Sequence, residues 1–234
     1  MTTPKNNDST KKKICSTTPT DGYPLVINVA FSTRVERDER VLKIAESFGI
    51  GLEDREWSVF EDFALTVQPG DVIYINGQSG SGKSTLLRCA AEQLACNHGL
   101  RVENIDNVVL LDKPIISQIG ETLEEATKLL ALAGLSDAYL YIRKPSELSD
   151  GQRYRFRLAK LLESNAEVWV ADEFGAVLDR ITAKVVANNF QKVARAHGRI
   201  GIVATTHTDL VEELAPNLIV QKRFMDRVEL TRHD

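Results

Sequence analysis

Cysteine is nearly absent from this chain, and the three present follow no metal-ligand spacing and no even-numbered disulfide framework. Cys15, Cys89 and Cys96 therefore read as reduced thiols of a cytoplasmic protein, the last two in helix packing. Long apolar runs are missing as well. None approaches the roughly 18–20 residues that cross a bilayer, and the N-terminus shows no apolar core of a signal peptide. Membrane contact is expected only through a partner, without direct insertion. Nor is there an excess of positive charge: 29 Lys and Arg stand against 33 Asp and Glu, a net charge of −4. That balance argues against a surface built mainly to hold a nucleic-acid backbone, although a local basic patch remains compatible with it. No internal repeat is found. What is left is 234 residues, 43% hydrophobic and 26% charged, enough for one good-sized core with a small subdomain.

Against this plain background one stretch stands out. Gly77-Gln78-Ser79-Gly80-Ser81-Gly82-Lys83-Ser84-Thr85 satisfies the pattern G-x-x-x-x-G-K-[ST] at every fixed position. An apolar run, Val72 to Ile75, leads in, and a helical pattern from Ser84 onward leads out. Glycines let successive backbone N–H groups point inward at phosphate oxygens, and a helix N-terminus adds positive partial charge. Lys83 then reaches the β- and γ-phosphates of a nucleotide and the Ser84 hydroxyl joins Mg²⁺. A glycine-rich turn that merely precedes Lys-Ser matches these positions in roughly one chain in a hundred of this length.

Residues 1 to about 22 are polar and read as a disordered tail. Strands are expected at Leu25–Phe31, Val41–Ala45, Val59–Val67 and Val72–Ile75, then at Val108–Leu111, Val168–Ala171, Arg199–Ala204, Asn217–Val220 and Arg227–Leu230. Helices are expected at Lys83–Cys96, Thr122–Leu132, Ser149–Leu162, Arg180–His197 and Asp209–Leu214. Alternating short apolar strands and helices imply an α/β fold with a mostly parallel sheet covered by helices.

A phosphate loop needs a second metal anchor and a group that orients water. Glu167-Val168-Trp169-Val170-Ala171-Asp172-Glu173 offers both where an apolar strand ends in two carboxylates. Asp172 suits Mg²⁺ and Glu173 suits the base or water-positioning role. Leu148-Ser149-Asp150-Gly151-Gln152 opens the preceding helix, with Ser149 a natural N-cap. Here the chain resembles the ABC ATPase superfamily, whose signature is Leu-Ser-Gly-Gly-Gln at a helix start. The chain keeps four of those residues and has Asp150 where glycine is usual.

The resemblance covers about residues 41 to 210. It implies a domain over 23–234 with an antiparallel β subdomain and a shortened helical signature subdomain at about 112–150. It also implies that Ser149, Gly151 and Gln152 close over the γ-phosphate of ATP bound by a second copy. Asp179 matches the loop that communicates across such a dimer, and His207 the switch histidine on the γ-phosphate. Gln118 is the choice for the glutamine that senses Mg²⁺ and the attacking water. Phe48 is the choice for the adenine-stacking aromatic, with Trp57 as competitor. The carboxylate of Asp150 is expected to face away from phosphate or to weaken closure.

A finer likeness, carried by Arg34-Val35-Glu36-Arg37, Phe48 to Gly51, Leu148 to Arg157 and Trp169 to Phe174, is to ABC-type ATPases fused to an acetyltransferase-like domain. The chain is too short to hold that second domain. Lys83 and Ser149 lie 66 positions apart, shorter than in transporter subunits of the family. The expectation is thus a soluble, Mg²⁺-dependent ATPase that forms an ATP-dependent homodimer and moves an unidentified macromolecular partner, protein or nucleic acid. The nucleotide-binding subunit of a membrane transporter is the alternative. A non-hydrolysing ATP-gated module would need a defective base, and Glu173 is present. Arg153, Arg155, Arg157 and Lys160 raise the further option of a nucleic-acid surface, against solvation of a helix face.

Overall fold

The structure, a computed structural model, describes residues 22–222 and 228–233. The expected disordered tail lies outside the described residues, apart from Gly22. The chain opens with β1 (Tyr23–Thr33), α1 (Glu39–Phe48) and β2 (Arg55–Val67), then β3 (Val72–Gly77), α2 (Lys83–His98) and β4 (Val102–Asn104). Next come α3 (Leu123–Leu132), α4 (Ala138–Tyr141) and α5 (Asp150–Glu163), followed by β5 (Val168–Ala171), α6 (Arg180–Ala196) and β6 (Ile200–Thr205). The chain closes with α7 (Val211–Leu214), β7 (Leu218–Lys222) and β8 (Val228–Arg232).

β1 and β2 pair antiparallel as a two-stranded unit. The other six strands form one sheet in the order β4-β5-β6-β3-β7-β8, parallel except for β8. Alternation along each strand splits the core into two layers. Ile73, Ile75, Val168, Val170, Ile202 and Ala204 pack with α2 and the β1–β2 unit. Val72, Tyr74, Trp169, Ala171 and Val203 face α3, α5 and α6 on the other side. Central strands buried on both faces explain their unbroken apolar runs. The α/β fold, the mostly parallel sheet and the antiparallel subdomain are as expected. No helix among the described residues is long and apolar enough to cross a membrane.

Two expected strands are corrected. Val41–Ala45 lies inside α1, because capping decides against its β-branched composition. The Asp38 carboxylate accepts from the backbone N–H groups of Arg40 and Val41 at 2.8 and 2.9 Å, and Gly49 closes the helix at φ 63°. Val108–Leu111 is not a strand either, and Val109 and Leu111 are exposed. The edge strand comes earlier, at Val102–Asn104, where Arg101 clamps it to β5. Glu167 accepts from the Arg101 backbone N–H at 2.8 Å and from its guanidinium at 2.9 and 3.0 Å.

That clamp gives a test. Hydrogen bonds from the Arg101 side chain hold the Glu167 carboxyl down at about 2, from an ordinary 4.5, with burial opposing. A lowered folded value means stabilisation that is complete above pH 4.5 and lost as pH falls through about 2. Both side chains remain largely solvated, so the pair contributes little. Arg101→Met should lower the unfolding free energy in urea slightly at pH 7. The gap from the parent protein should narrow steadily below pH 4.5.

Candidate functional site

The loop from Gly77 to Thr85 joins the C-terminal end of β3 to the first turn of α2, as its pattern requires. A Cβ on Gly77 would stand 2.0 Å from the Lys222 carbonyl oxygen, so only glycine fits against β7 there. Gly80 and Gly82 sit at φ 75° and 98°, the left-handed region open to glycine. Lys83 is buried and its Nζ donates to the Gln78 carbonyl at 2.9 Å, folding its charge back over the loop. Ser81 is only 4% exposed, and its Oγ has no hydrogen-bond partner within the protein. A buried hydroxyl left unpaired costs roughly 1–3 kcal/mol, which a phosphate oxygen in the loop would recover.

Ser84 and Asp172 line one cavity of about 400 Å³, together with Asn104, Asp106 and Asn107. A second cavity of about 270 Å³ continues past Asp172 to Glu173, Asp106, Arg157 and the start of α5. β5 stops at Ala171, so Asp172 and Glu173 escape strand alternation. Glu173 then turns through φ 48°, a strained value for a side-chain-bearing residue. It is held there by its N–H to the Asp172 Oδ1 at 3.0 Å and by the Phe174 N–H to the Ala204 carbonyl at 2.9 Å.

Ser149 caps α5 reciprocally with Gln152. Its Oγ accepts from the Gln152 N–H at 3.3 Å, and the Gln152 Oε1 accepts from the Ser149 N–H at 2.9 Å. Asp150 points to solvent and pairs with the Arg153 guanidinium at 3.3 Å. A Cβ on Gly151 would meet the Val177 carbonyl at 3.2 Å, so this turn packs on the loop that leads to Asp179. Asp179 itself caps α6, accepting from the Thr182 N–H at 3.0 Å and its hydroxyl at 2.6 Å, which lowers its pKa. The cavities at Gly80–Gly82 and at Ser84 contain none of Ser149, Gly151 or Gln152.

Other expected residues stand apart. Gln118 accepts from the Leu111 N–H at 2.8 Å and donates to the Leu111 carbonyl at 2.9 Å and to Lys113. Its amide is spent holding a turn, and it lines neither cavity beside Asp172. The strand expected at 108–111 drew that choice downstream, whereas Asp106 and Asn107 line the Ser84 cavity. The signal was a polar turn directly after β4. His207 has its backbone fixed by its N–H to Thr205 Oγ1 at 3.1 Å and by the Tyr74 hydroxyl donating to its carbonyl. Its ring lines neither cavity. Burial raises the Tyr74 pKa to about 12, so this donor stays protonated at neutral pH.

The helix cations also look inward. Arg153 donates to the carbonyls of Pro145 and Leu148, Arg155 to Gly134 at 2.7 Å, and Lys160 to Gln118 at 2.6 Å. These bonds remove most of the basic stripe considered for nucleic acid. Arg157 lines the Glu173 cavity with a buried Nε that has no partner. Phe48 ends α1, 73% exposed, away from the loop. Trp57 instead lines a cavity of about 830 Å³ shared with Gly80, Ser81 and Gly82.

Fold and site together define an α/β phosphate-loop protein for a nucleoside triphosphate. Residues 60–106 match the family model described as ABC transporter. The lipoprotein-releasing system ATP-binding protein LolD of Rickettsia felis is 31% identical over 188 residues, covering 67% of this chain and 83% of that protein. The phosphonates import ATP-binding protein PhnC 2 of Pseudomonas savastanoi is 27% identical, with 70% and 76% covered. The dimeric structure of MJ0796, a bacterial ABC transporter cassette, superposes with a TM-score of 0.63 at 18% identity, covering 90% of this chain and all of the other. The chain belongs to the ABC ATPase superfamily, as an ATP-binding and ATP-hydrolysing cassette. The finer likeness to acetyltransferase-fused ATPases has no counterpart among these relatives.

The position of Trp57 can be checked directly. Trp57→Ala should weaken ATP binding by about 1–3 kcal/mol, the usual worth of a base stacked on an aromatic ring. Phe48→Ala should leave it unchanged, both read by calorimetry.

Proposed function

We propose that two copies of this chain close head to tail over two ATP molecules and use hydrolysis to move a macromolecular partner. The observation that carries this is the split site. Ser84, Asp172 and Glu173 gather around adjoining cavities; of the Ser149–Gln152 helix start only Asp150 reaches the Glu173 cavity, and Ser149, Gly151 and Gln152 line none of them. The N–H groups and dipole of that helix start need an anion brought by another molecule.

Within one half-site, the loop N–H groups and Lys83 bind and orient the phosphates. Ser84 and Asp172 are hard oxygen donors on one cavity, a set suited to Mg²⁺, and no group of three His, Cys, Asp or Glu among the described residues would hold a metal alone. Held there, such an ion would supply charge neutralisation to the nucleotide phosphates. Glu173 accepts a hydrogen bond from the attacking water and holds it in line. Ser149, Gly151 and Gln152 of the second copy cover the γ-phosphate, His207 contacts it from the end of β6, and Asp179 links the two halves.

The relatives favour a membrane transport partner, since those above are named as import or release ATP-binding proteins. The shortened stretch between Lys83 and Ser149 favours a partner outside the membrane as the second reading. Recovery of Glu173→Gln protein with an integral membrane protein from ATP-treated membranes would decide for the first, and recovery only from the membrane-free extract for the second.

Two outcomes test the closure itself. Glu173→Gln should lower hydrolysis by at least about a hundredfold and run as a dimer with ATP in size-exclusion chromatography; a monomer under those conditions sinks the sandwich. Asp150→Gly should tighten the ATP-dependent dimer, because a carboxylate near the helix start opposes phosphate there. Analytical ultracentrifugation of Glu173→Gln with and without Asp150→Gly reads the change.

A further inference from the structure

At the end of β7 a lysine occupies a position that the strand otherwise gives to the core. Leu218, Val220 and Lys222 point the same way, into the layer shared by α2 and the β1–β2 unit. Lys222 is only 6% exposed. Taking an ammonium out of water is costly, so where it is held is informative. Two neighbours fix that place. The Lys222 backbone lies against Gly77, the first residue of the phosphate loop. Its Nζ stands 5.4 Å from the centre of the Phe60 ring. The edge of that ring meets the far side of the loop, since a Cβ on Gly82 would lie 3.5 Å from Phe60 Cε2. The lysine therefore runs alongside the loop from Gly77 toward Gly82.

Lys222 and Ser81 line the same 830 Å³ cavity, together with Gly80 and Gly82. Ser81 is 4% exposed and its hydroxyl has no partner within the protein. A Cβ on Gly77 would come within 2.8 Å of that Oγ, so the hydroxyl stands on the Lys222 side of the loop. A buried cation and a buried hydroxyl beside loop glycines suit a phosphate oxygen, which accepts from both. The acids of this cavity, Asp54 and Glu56, are exposed, and solvent screens them; Asp54 already accepts from the Val35 N–H at 3.4 Å. The loop's other cation is placed differently, with the Lys83 Nζ on the Gln78 carbonyl and suited to the β- and γ-phosphates. Trp57 walls the cavity that Lys222 lines, so Lys222 lies on the side of the loop toward the base. The phosphates nearest the sugar belong on that side.

We propose that Lys222 and the Ser81 hydroxyl bind the nucleotide phosphates nearest the sugar, a second cationic contact beside Lys83 that holds ATP and ADP alike. This rests on Gly77–Thr85 holding the triphosphate. Calorimetry with ATP and with ADP tests it. Lys222→Met keeps the length of the side chain over Phe60 and removes its charge. It should weaken both nucleotides by about tenfold, as expected for one charge-assisted hydrogen bond. Ser81→Ala should weaken both by about threefold. It should also leave the thermal midpoint without nucleotide no lower than the parent's, because the hydroxyl it removes is unpaired there. A Lys222→Met protein that binds both nucleotides like the parent overturns the proposal. So does a loss confined to ATP, which would put the charge at the γ-phosphate. If Lys222→Met does not fold, Ser81→Ala decides alone, and unchanged affinity for both nucleotides overturns the proposal. Lys83→Ala, measured alongside, separates the two levels. If it leaves ATP affinity unchanged, the loop reading itself fails; if it abolishes ATP binding while Lys222→Met binds like the parent, only the second contact fails.

Discussion

Everything in this molecule that touches nucleotide depends on how closely β3 is held between its neighbours. β3 is hydrogen-bonded to β6 on one side and β7 on the other, and its side chains are buried on both faces. At its end Gly77 lies against the Lys222 carbonyl with no room for a Cβ. The chain leaving that strand can only curl upward, through the left-handed glycines and into α2. The loop is therefore a shaped concavity and not a free arm, with the Ser81 N–H and the Lys83 ammonium both tied to the Gln78 carbonyl. Preorganisation of this kind avoids the ordering cost at the moment of binding.

The same packing logic places the acids. β5 runs parallel to β6 one strand away from β3, so its end arrives at the same sheet edge as the loop. Tight burial of Trp169 and Val170 fixes where the strand must stop, and the left-handed Glu173 follows at once. Such a conformation costs on the order of 1–3 kcal/mol and persists only where surrounding bonds impose it. Here the Phe174 N–H to Ala204 bond ties that turn to β6, the strand that also leads to His207. Tyr74 of β3 reaches across to the His207 carbonyl, so the strands of loop, acid and histidine are cross-connected.

What could be read from residues alone was whatever rests on local chemistry. The loop pattern, the acids at the end of an apolar strand and the Ser149 cap each need only a few adjacent residues, and each stands where it was expected. The failures concern choices settled by distant contacts. Val108–Leu111 looks more like a strand than Val102–Asn104, but pairing with β5 and the Arg101–Glu167 clamp decide for the poorer sequence. Gln118 was attractive as a residue type, and only the structure shows its amide spent on Leu111 and Lys113. Phe48 stands outside the cavity beside the loop because it ends a helix capped at Asp38 and Gly49, while pairing with β1 places Trp57 on that cavity.

Charge placement around α5 shows why the shortened helical segment can still act as a unit. Arg153 and Arg155 are only partly exposed and tie the carbonyls of Pro145, Leu148 and Gly134 to the helix. Lys160 does the same for Gln118, whose amide holds the preceding turn. Ile115, Ile119, Ala126, Leu130 and Leu135 give the segment its apolar core, and the bonds from charged donors to backbone acceptors add to it. Asp150 belongs to this arrangement, because its pairing with Arg153 holds the carboxylate at the rim rather than over the helix start. The same bracing fixes the Ser149–Gln152 turn against the loop that leads to Asp179, where a Cβ on Gly151 would meet the Val177 carbonyl at 3.2 Å.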